Sequence, residues 1–547
     1  MNETLLGVLE SRVTQGPEPS LTFVEEQRTL RLSELLAESR ATARGLISLG
    51  AAPGDRTAFI MQNGSGFLNL LFGAQYAHAV PVPLALPFGY GGGDSYARHV
   101  AGILADGGIG LLVVDATLDR VRQALETALP GVTVVSSGEL APAGGEAALP
   151  GGAVPADQPA YIQYTSGSTS APKGVALTHG NVLAGLRAIA EPSAVTSQDR
   201  WGLWVPLFHD MGVFSLLTSL SVGADVVLWQ PRGGIRNPLQ WLRRFAEEGC
   251  TLTSAPNFFL DALVTAVRSE RSAPEPVDLS AWRLIYNGAE PVNATSIAEF
   301  QRTFGPWGFH PEAMYPVYGM AEATLAVAFP PLGREPLVRW VDRQALLDGT
   351  LVPSDQAASG ARPLVSVGRG VPGVHIRVAR DGRPAPDREV GEIEISGPAV
   401  TRGYYRRPAG EERTADGWLR TGDMGVLDDD ELFIVGRRKD MVIVRGMNYY
   451  AEDAEAIVRD LPGVFRKRCA AIPEEEWMAL VVETELEGVE ERAALVAACR
   501  REIRSRMGLG EITVYLTTPR YLPQTSSGKV QRSKLRSSLG ELTALDS

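Results

Sequence analysis

The sequence predicts an α/β fold, in which helix-covered β-sheets give way to an antiparallel segment and then to a small α/β tail. Three observations carry this expectation. From residue 29 onward, short β-prone runs alternate with helical patterns, an order that favours sheets covered by helices over a sandwich or a bundle. Past residue 360 the periodicity shifts to two, at 374–378 and 392–395, as in half-buried antiparallel strands. Beyond Arg438, helical stretches return around a short apolar run.

Taken in order, Leu32, Leu35, Leu36, Ala43 and Leu46 recur at helical spacing before Gly50, which predicts an amphipathic helix. Residues 56–61 read as a strand and 66–77 as a helix leading into Val80-Pro81-Val82-Pro83. Further strands are expected at 110–115, 224–229 and 252–255. Gly- and Ala-rich stretches at 88–94 and 141–154 read as exposed linkers, with a first boundary near residue 150. In the tail, 452–459 and 489–507 read as helices around a strand at 479–482. The expected division is a large domain, 1–437, and a small one, 438–547.

Composition narrows the function. The 547 residues are 44% hydrophobic and 21% charged, the balance of a folded, water-soluble chain. With 52 basic and 64 acidic residues the net charge is −12, so no broad positive field is available to capture nucleic acid. Cys250, Cys469 and Cys499 are scattered, without a CxxC pair; neither a disulfide framework nor a zinc site follows, and a cytoplasmic location fits. The N-terminus is acidic where a signal peptide is basic, and the apolar runs break early, so neither export nor a membrane span is expected.

The strongest local signal is Tyr161-Ile162-Gln163-Tyr164-Thr165-Ser166-Gly167-Ser168-Thr169-Ser170-Ala171-Pro172-Lys173-Gly174. An apolar strand enters a loop of hydroxyls and glycines whose N–H groups can converge on phosphate oxygens, while a lysine supplies charge. It lacks the GxxxxGK[ST] of a Walker loop, and taken alone such a segment also reads as a Ser/Thr-rich surface turn. The chain has only five lysines, Lys173, Lys439, Lys467, Lys529 and Lys534, and otherwise uses arginine. A compact ammonium suits a crowded phosphate site better than a planar guanidinium.

Further stretches follow in order: Trp204-Val205-Pro206-Leu207-Phe208-His209-Asp210-Met211-Gly212, Tyr286-Asn287-Gly288-Ala289-Glu290-Pro291, and Tyr315-Pro316-Val317-Tyr318-Gly319-Met320-Ala321-Glu322-Ala323-Thr324. Then come Gly417-Trp418-Leu419-Arg420-Thr421-Gly422-Asp423 with Gly436-Arg437-Arg438-Lys439-Asp440, and Leu522-Pro523-Gln524-Thr525-Ser526-Ser527-Gly528-Lys529. Together they resemble the motifs of the acyl-adenylate-forming enzymes, the superfamily of acyl-CoA synthetases, peptide-synthetase adenylation domains and luciferases.

That resemblance implies a large domain with a small β-barrel-like subdomain, followed by a mobile C-terminal domain. It places the ATP phosphates on Thr165, Ser166, Gly167, Ser168, Thr169 and Lys173. Adenine falls to Asn287, Gly288, Ala289, Glu290, Val317, Tyr318, Gly319 and Met320, and ribose to Asp423 and Arg437. Mg²⁺ is implied at Glu322 and Thr165, the catalytic set at Lys529, His209 and Glu322, and the interdomain hinge at Lys439. The acyl pocket draws on Val205, His209, Asp210, Met211, Gly212, Phe214, Asn257 and Phe258, with Phe214 bulky enough to shorten it.

Within the superfamily, the forms at 208–212, 287–291, 318–324 and 443–450 are similar to fatty acyl-AMP ligases. Residues 341–353, continuing to Val367, resemble the insertion that in those ligases restrains the small domain and disfavours release to free coenzyme A; as plain sequence they also read as a longer surface loop. The implied activity is ATP-dependent conversion of a fatty acid to acyl-AMP, then transfer to the phosphopantetheine thiol of an acyl carrier protein. Too few residues follow Arg536 for a carrier domain, so the carrier is expected in trans. An acyl-CoA synthetase is the close rival, and a non-catalytic acyl- or nucleotide-binding module the distant one.

Overall fold

Short strands, most of them followed by a helix, fold into two largely parallel sheets. In the computed structural model, which describes the chain except residues 1–3, 88–92, 141–147, 153, 156, 166–171, 270–274, 359, 409, 445–446, 476, 511, 525–529 and 543–547, the larger sheet has seven strands. Their order is Met314–Pro316, Leu284–Asn287, Leu252–Ala255, Arg200–Leu203, Asp225–Leu228, Ser20–Phe23 and Arg28–Arg31. Every neighbouring pair is parallel except the last, a hairpin. The second sheet runs Val80–Pro83, Arg56–Ile60, Leu111–Val114, Thr133–Ser136, all parallel. Leu111–Val114 and Leu252–Ala255 are buried at every position, as parallel strands covered on both faces are.

Helix Leu32–Ser48 presents Leu32, Leu35, Leu36, Ala43 and Leu46 to the core and packs on helix Ser65–Tyr76. A Cβ at Gly73 would lie 3.1 Å from the Ser39 carbonyl oxygen, so glycine permits the close approach. Of the expected linker 88–94, Gly93 and Asp94 instead open helix Gly93–Gly107, and 88–92 lie outside the described residues. No helix among the described residues is long and apolar enough to cross a membrane.

The antiparallel part is a five-stranded sheet, Arg383–Pro384, His375–Arg380, Gly391–Ser396, Leu419–Asp428 and Glu431–Arg437. Backbone bonds from Val367 N–H to the Leu432 carbonyl (2.9 Å) and from Leu432 N–H to the Gly368 carbonyl (2.7 Å) continue it toward Arg369–Gly370, Leu325–Phe329 and Tyr318–Met320. This curl gives the subdomain its barrel-like character. The expected alternation in 392–395 fails at Glu394, which is buried because Arg377 Nε (2.7 Å) and Arg420 Nε (3.5 Å) neutralise it.

The C-terminal sheet, Cys469–Pro473, Met478–Glu483 and Ile512–Thr517, is covered on both faces, as alternating side chains require. Ala471, Leu480, Val482 and Val514 meet Leu495, Val496, Cys499 and Ile503 of helix Val489–Met507. Ala470, Ile472, Ala479 and Val481 meet Leu535 of helix Arg532–Ser538. All three cysteines are free and buried, and burial pushes their thiols up, Cys499 to about 12.

The segment 341–367 is anchored in the core on both flanks, while 352–353 and 355–358 are exposed. Strands Val338–Asp342 and Ala361–Val365 pair around helix Arg343–Leu347. Val341, Leu346, Leu347, Leu351 and Leu364 share one apolar cluster with Tyr449, Tyr450, Ala451 and Ala454. Arg362 Nε (2.7 Å) and Arg343 Nη1 (3.4 Å) both close on Asp453, and Arg362 Nη2 donates to the Val435 carbonyl at 2.8 Å.

Candidate active site

The parallel strands of the seven-stranded sheet end in loops on one side, where ligands of open α/β sheets bind. Leu284–Asn287 runs into Gly288, Ala289 and Glu290. A Cβ at Gly288 would lie 2.8 Å from Val317 Cγ2, and one at Gly319 would lie 1.9 Å from the Leu325 carbonyl oxygen. Glycine at both positions lets the two backbones close into a flat wall. The buried Asn287 amide is turned to the Ala255 carbonyl (3.0 Å), and Glu290 accepts from the Phe258 N–H; both brace the loop.

Tyr318 stands half-buried beside this wall. Its hydroxyl donates to Asp423 Oδ2 at 2.7 Å, while Arg437 Nε donates to Asp423 Oδ1 at 2.8 Å. Burial, with Asp423 adjacent, pushes the Tyr318 phenol well up, so it stays a donor. An ionised carboxylate accepts about four hydrogen bonds, of which these two are made among the described residues. Tyr318, Asp423 and Arg437, 119 residues apart at the extremes by their numbering, are thus brought together.

Four residues after Tyr318, Glu322 sits in the turn Ala321–Ala323. Its Oε1 accepts from the Tyr404 hydroxyl at 3.0 Å, and its carbonyl accepts from Thr401 N–H at 2.7 Å. Burial pushes the Glu322 carboxyl above its ordinary value, so its charged form gains from a nearby cation. Carboxylate and hydroxyl oxygens, as Glu322 and Thr165 offer, are hard donors of the kind Mg²⁺ takes.

Strand Pro159–Thr165 and strand Lys173–Thr178 form a hairpin in which Thr165 pairs with Lys173. Ser166, Gly167, Ser168 and Thr169 lie outside the described residues. Both ends of their loop are anchored: Tyr164 Oη donates to Asp106 Oδ2 (2.9 Å), and Arg407 Nη2 donates to Asp106 Oδ1 (2.9 Å) and to the Pro172 carbonyl (2.8 Å). The Lys173 ammonium lies 5.0 Å from the Tyr404 ring centroid.

His209 precedes helix Asp210–Val222, its ring 4.9 Å from that of Phe208. A Cβ at Gly212 would lie 2.2 Å from the Pro206 carbonyl oxygen, so the helix start folds tightly under the 205–209 turn. Gln163 Nε2 donates to the Phe208 carbonyl (2.7 Å), tying this turn to the hairpin, and Asn63 holds Val205 and Leu207 from the opposite side. Asp210 caps Met211 N–H at 2.8 Å. Val205, Met211 and Phe214 are buried, and Phe214 packs edge-on against Tyr161 at 5.7 Å. Phe258 is half-buried near Trp204, and the Asn257 amide bonds Ser296 Oγ (3.0 Å) and Asn293 N–H (3.2 Å).

Lys439 lies in the turn Arg438–Asp440, where burial and the adjacent Arg437 hold its ammonium below the usual lysine range. Lys529 lies outside the described residues, but its flanks are placed: Gln524 bridges to Val530, and Arg532 Nη1 reaches Asp440 at 3.3 Å. The residues sequence reasoning missed are Asn63, Asp106, Gln163, Tyr404 and Arg407. Gln163 was in view inside the loop motif, but its partner is 45 positions away.

A family model for the AMP-binding enzymes matches residues 9–405. A putative acyl-CoA synthetase of Caulobacter vibrioides is 33% identical over 521 residues, covering 93% of this chain and 90% of its own. A medium-chain-fatty-acid–[acyl-carrier-protein] ligase of Moorena producens is 31% identical, covering 97% and 94%. A solved structure from work on fatty acyl-adenylate ligases of E. coli and L. pneumophila superposes with a TM-score of 0.90 at 31% identity, covering 98% of both chains. With the motifs, the sheet-end site and these likenesses in agreement, the chain belongs to the AMP-binding enzyme family, the ATP-using adenylate-forming enzymes that include the fatty acyl-AMP ligases.

Proposed function

We propose that the chain activates a fatty acid with ATP, forming acyl-AMP and pyrophosphate, and passes the acyl group to the phosphopantetheine thiol of an acyl carrier protein. The supporting observation is that one short segment carries Tyr318, bonded to Asp423, and Glu322, bonded to Tyr404 beside Lys173. This supports a nucleoside subsite and a phosphate subsite held at a fixed separation.

In this reading Tyr318 stacks on adenine, Asp423 and Arg437 take the ribose hydroxyls, and the 165–173 loop with Lys173 grips the β- and γ-phosphates. Glu322 and Thr165 would hold Mg²⁺, which when bound would supply charge neutralisation at the phosphates. His209 positions the fatty carboxylate, whose oxygen attacks the α-phosphorus as the bond to pyrophosphate breaks. Lys529 stabilises the charge shifting across that centre. The small domain, from 438, then turns about Lys439 and withdraws Lys529. The carrier thiol loses its proton, its sulfur bonds the acyl carbon, and AMP departs.

Carrier rather than free coenzyme A is favoured by the buried junction of Asp453 with Arg343 and Arg362, which ties the small domain to segment 341–367. The likeness to a carrier-protein ligase points the same way. The test is ATP–pyrophosphate exchange across a fatty-acid chain-length series, followed by presentation of holo carrier protein or coenzyme A. Acyl-carrier formation with little coenzyme A thioester is expected. Rapid coenzyme A thioester formation would instead support the synthetase reading suggested by the Caulobacter relative's name.

A further inference from the structure

Tyr404 touches both halves of the phosphate subsite. Its placement comes from backbone pairing: Val175 bridges to Tyr404, and Tyr405 N–H donates to the Gly174 carbonyl at 2.7 Å. Segment 401–405 therefore lies alongside strand Lys173–Thr178. From there the Tyr404 ring faces the Lys173 ammonium at 5.0 Å, and its hydroxyl donates to Glu322 Oε1 at 3.0 Å. Thr401 fixes the same turn from behind, through its N–H to the Glu322 carbonyl at 2.7 Å.

An ammonium and a carboxylate that both border one tyrosine attract each other, and at reduced dielectric that attraction is large. Pairing would leave the lysine turned from phosphate and the carboxylate neutralised against a cation. An aromatic ring avoids both losses, because its face attracts a cation without carrying charge, while its phenol edge donates one hydrogen bond to a carboxylate oxygen. We propose that Tyr404 is a positioning residue of the phosphate subsite, holding Lys173 on its ring face and Glu322 at its hydroxyl so that the two do not neutralise each other. The proposal rests on the reading of Lys173 and Glu322 given above.

Two variants separate the ring from the hydroxyl: Tyr404→Phe keeps the face and loses the donor, and Tyr404→Leu loses both. Binding is read by calorimetry with α,β-methylene ATP in EDTA, and Mn²⁺ binding by electron paramagnetic resonance with the same analogue present. Tyr404→Phe is expected to bind metal-free analogue like the wild type but to weaken Mn²⁺ by about 10-fold, the loss of one hydrogen bond to a charged group. Tyr404→Leu is expected also to weaken metal-free analogue by about 3- to 30-fold. Wild-type Mn²⁺ affinity in Tyr404→Phe, or wild-type metal-free binding in a folded Tyr404→Leu, overturns the proposal; should Tyr404→Leu unfold, the near-isosteric Tyr404→Phe still decides it. Lys173→Met and Glu322→Gln are run beside them. If these leave both affinities unchanged, the underlying assignment of the subsite has failed; if they weaken binding while the Tyr404 variants do not, only the role of Tyr404 has.

Discussion

Asp453 Oδ1 lies 2.7 Å from Arg362 Nε, with both side chains less than a tenth exposed. Arg343 approaches the other oxygen, so one carboxylate in helix Ala451–Val458 joins both ends of the 341–367 segment. Burial works against charge on Arg343 and lowers its pKa; Asp453 is what makes two buried guanidiniums tolerable.

Asp453→Ala is expected to destabilise the protein by about 3–5 kcal/mol, because it strands buried charge rather than removing a pair. Urea denaturation followed by tryptophan fluorescence measures this. Where the variant stays folded, its ratio of coenzyme A to carrier-protein acylation should rise, since the small domain has lost its tie.

Asp423→Ala removes the acceptor shared by Tyr318 and Arg437. Its KM for ATP should rise about 10- to 100-fold, as expected when charged hydrogen bonds worth about 1.5–3 kcal/mol are lost, with KM for the fatty acid little changed. Pyrophosphate-exchange kinetics at varied ATP give the answer.

Lys529→Ala should slow acyl-AMP formation about 100- to 1,000-fold, the usual cost of losing a group aimed at transition-state charge, with ATP affinity retained. Single-turnover assays separate the two, and exchange at the wild-type rate would remove Lys529 from its role.

Glu452 predicts a pH effect. Burial first, then the carboxylates of Glu455 and Asp440, push its carboxyl up to about 8 from an ordinary 4.5, with Arg532 opposing. Its Oε2 is buried with no hydrogen-bond partner among the described residues. A folded-state pKa above the unfolded one means the folded chain holds the extra proton. The stabilising contribution is full below about 4.5 and is lost as pH rises through about 8. Glu452→Gln should therefore raise Tm over the wild type at pH 9, with the difference shrinking toward pH 5.

The helices and parallel strands were legible because their signal is local: Leu32, Leu35 and Leu36 mark a buried face whatever lies around them. Helix Val489–Met507 falls where its pattern predicts. The hairpin Ser20–Phe23 and Arg28–Arg31 was not anticipated, since charged Arg28 and Arg31 hide a strand whose burial rests on Leu30 alone. Glu394 broke the alternation because arginines from neighbouring segments neutralise it.

In the site, the residues proposed to face ligand sit in contiguous motifs that a linear reading picks out, as with Tyr318, Glu322 and Asp423. The residues that hold them are not picked out in this way. Tyr404 reaches Glu322 across 82 positions, and Asp106 reaches Arg407 across 301. Their parts follow from where strands lie side by side, which a linear pattern does not encode.

The buried thiols have a practical corollary. With Cys250, Cys469 and Cys499 all shielded and their thiolates disfavoured, maleimide dyes should leave the native enzyme unlabelled. One new cysteine on exposed Leu332 and another on exposed Val489 would then be the reactive pair. Energy transfer between dyes at those points would then test the proposed turn about Lys439 during turnover without first stripping the chain of its own sulfur.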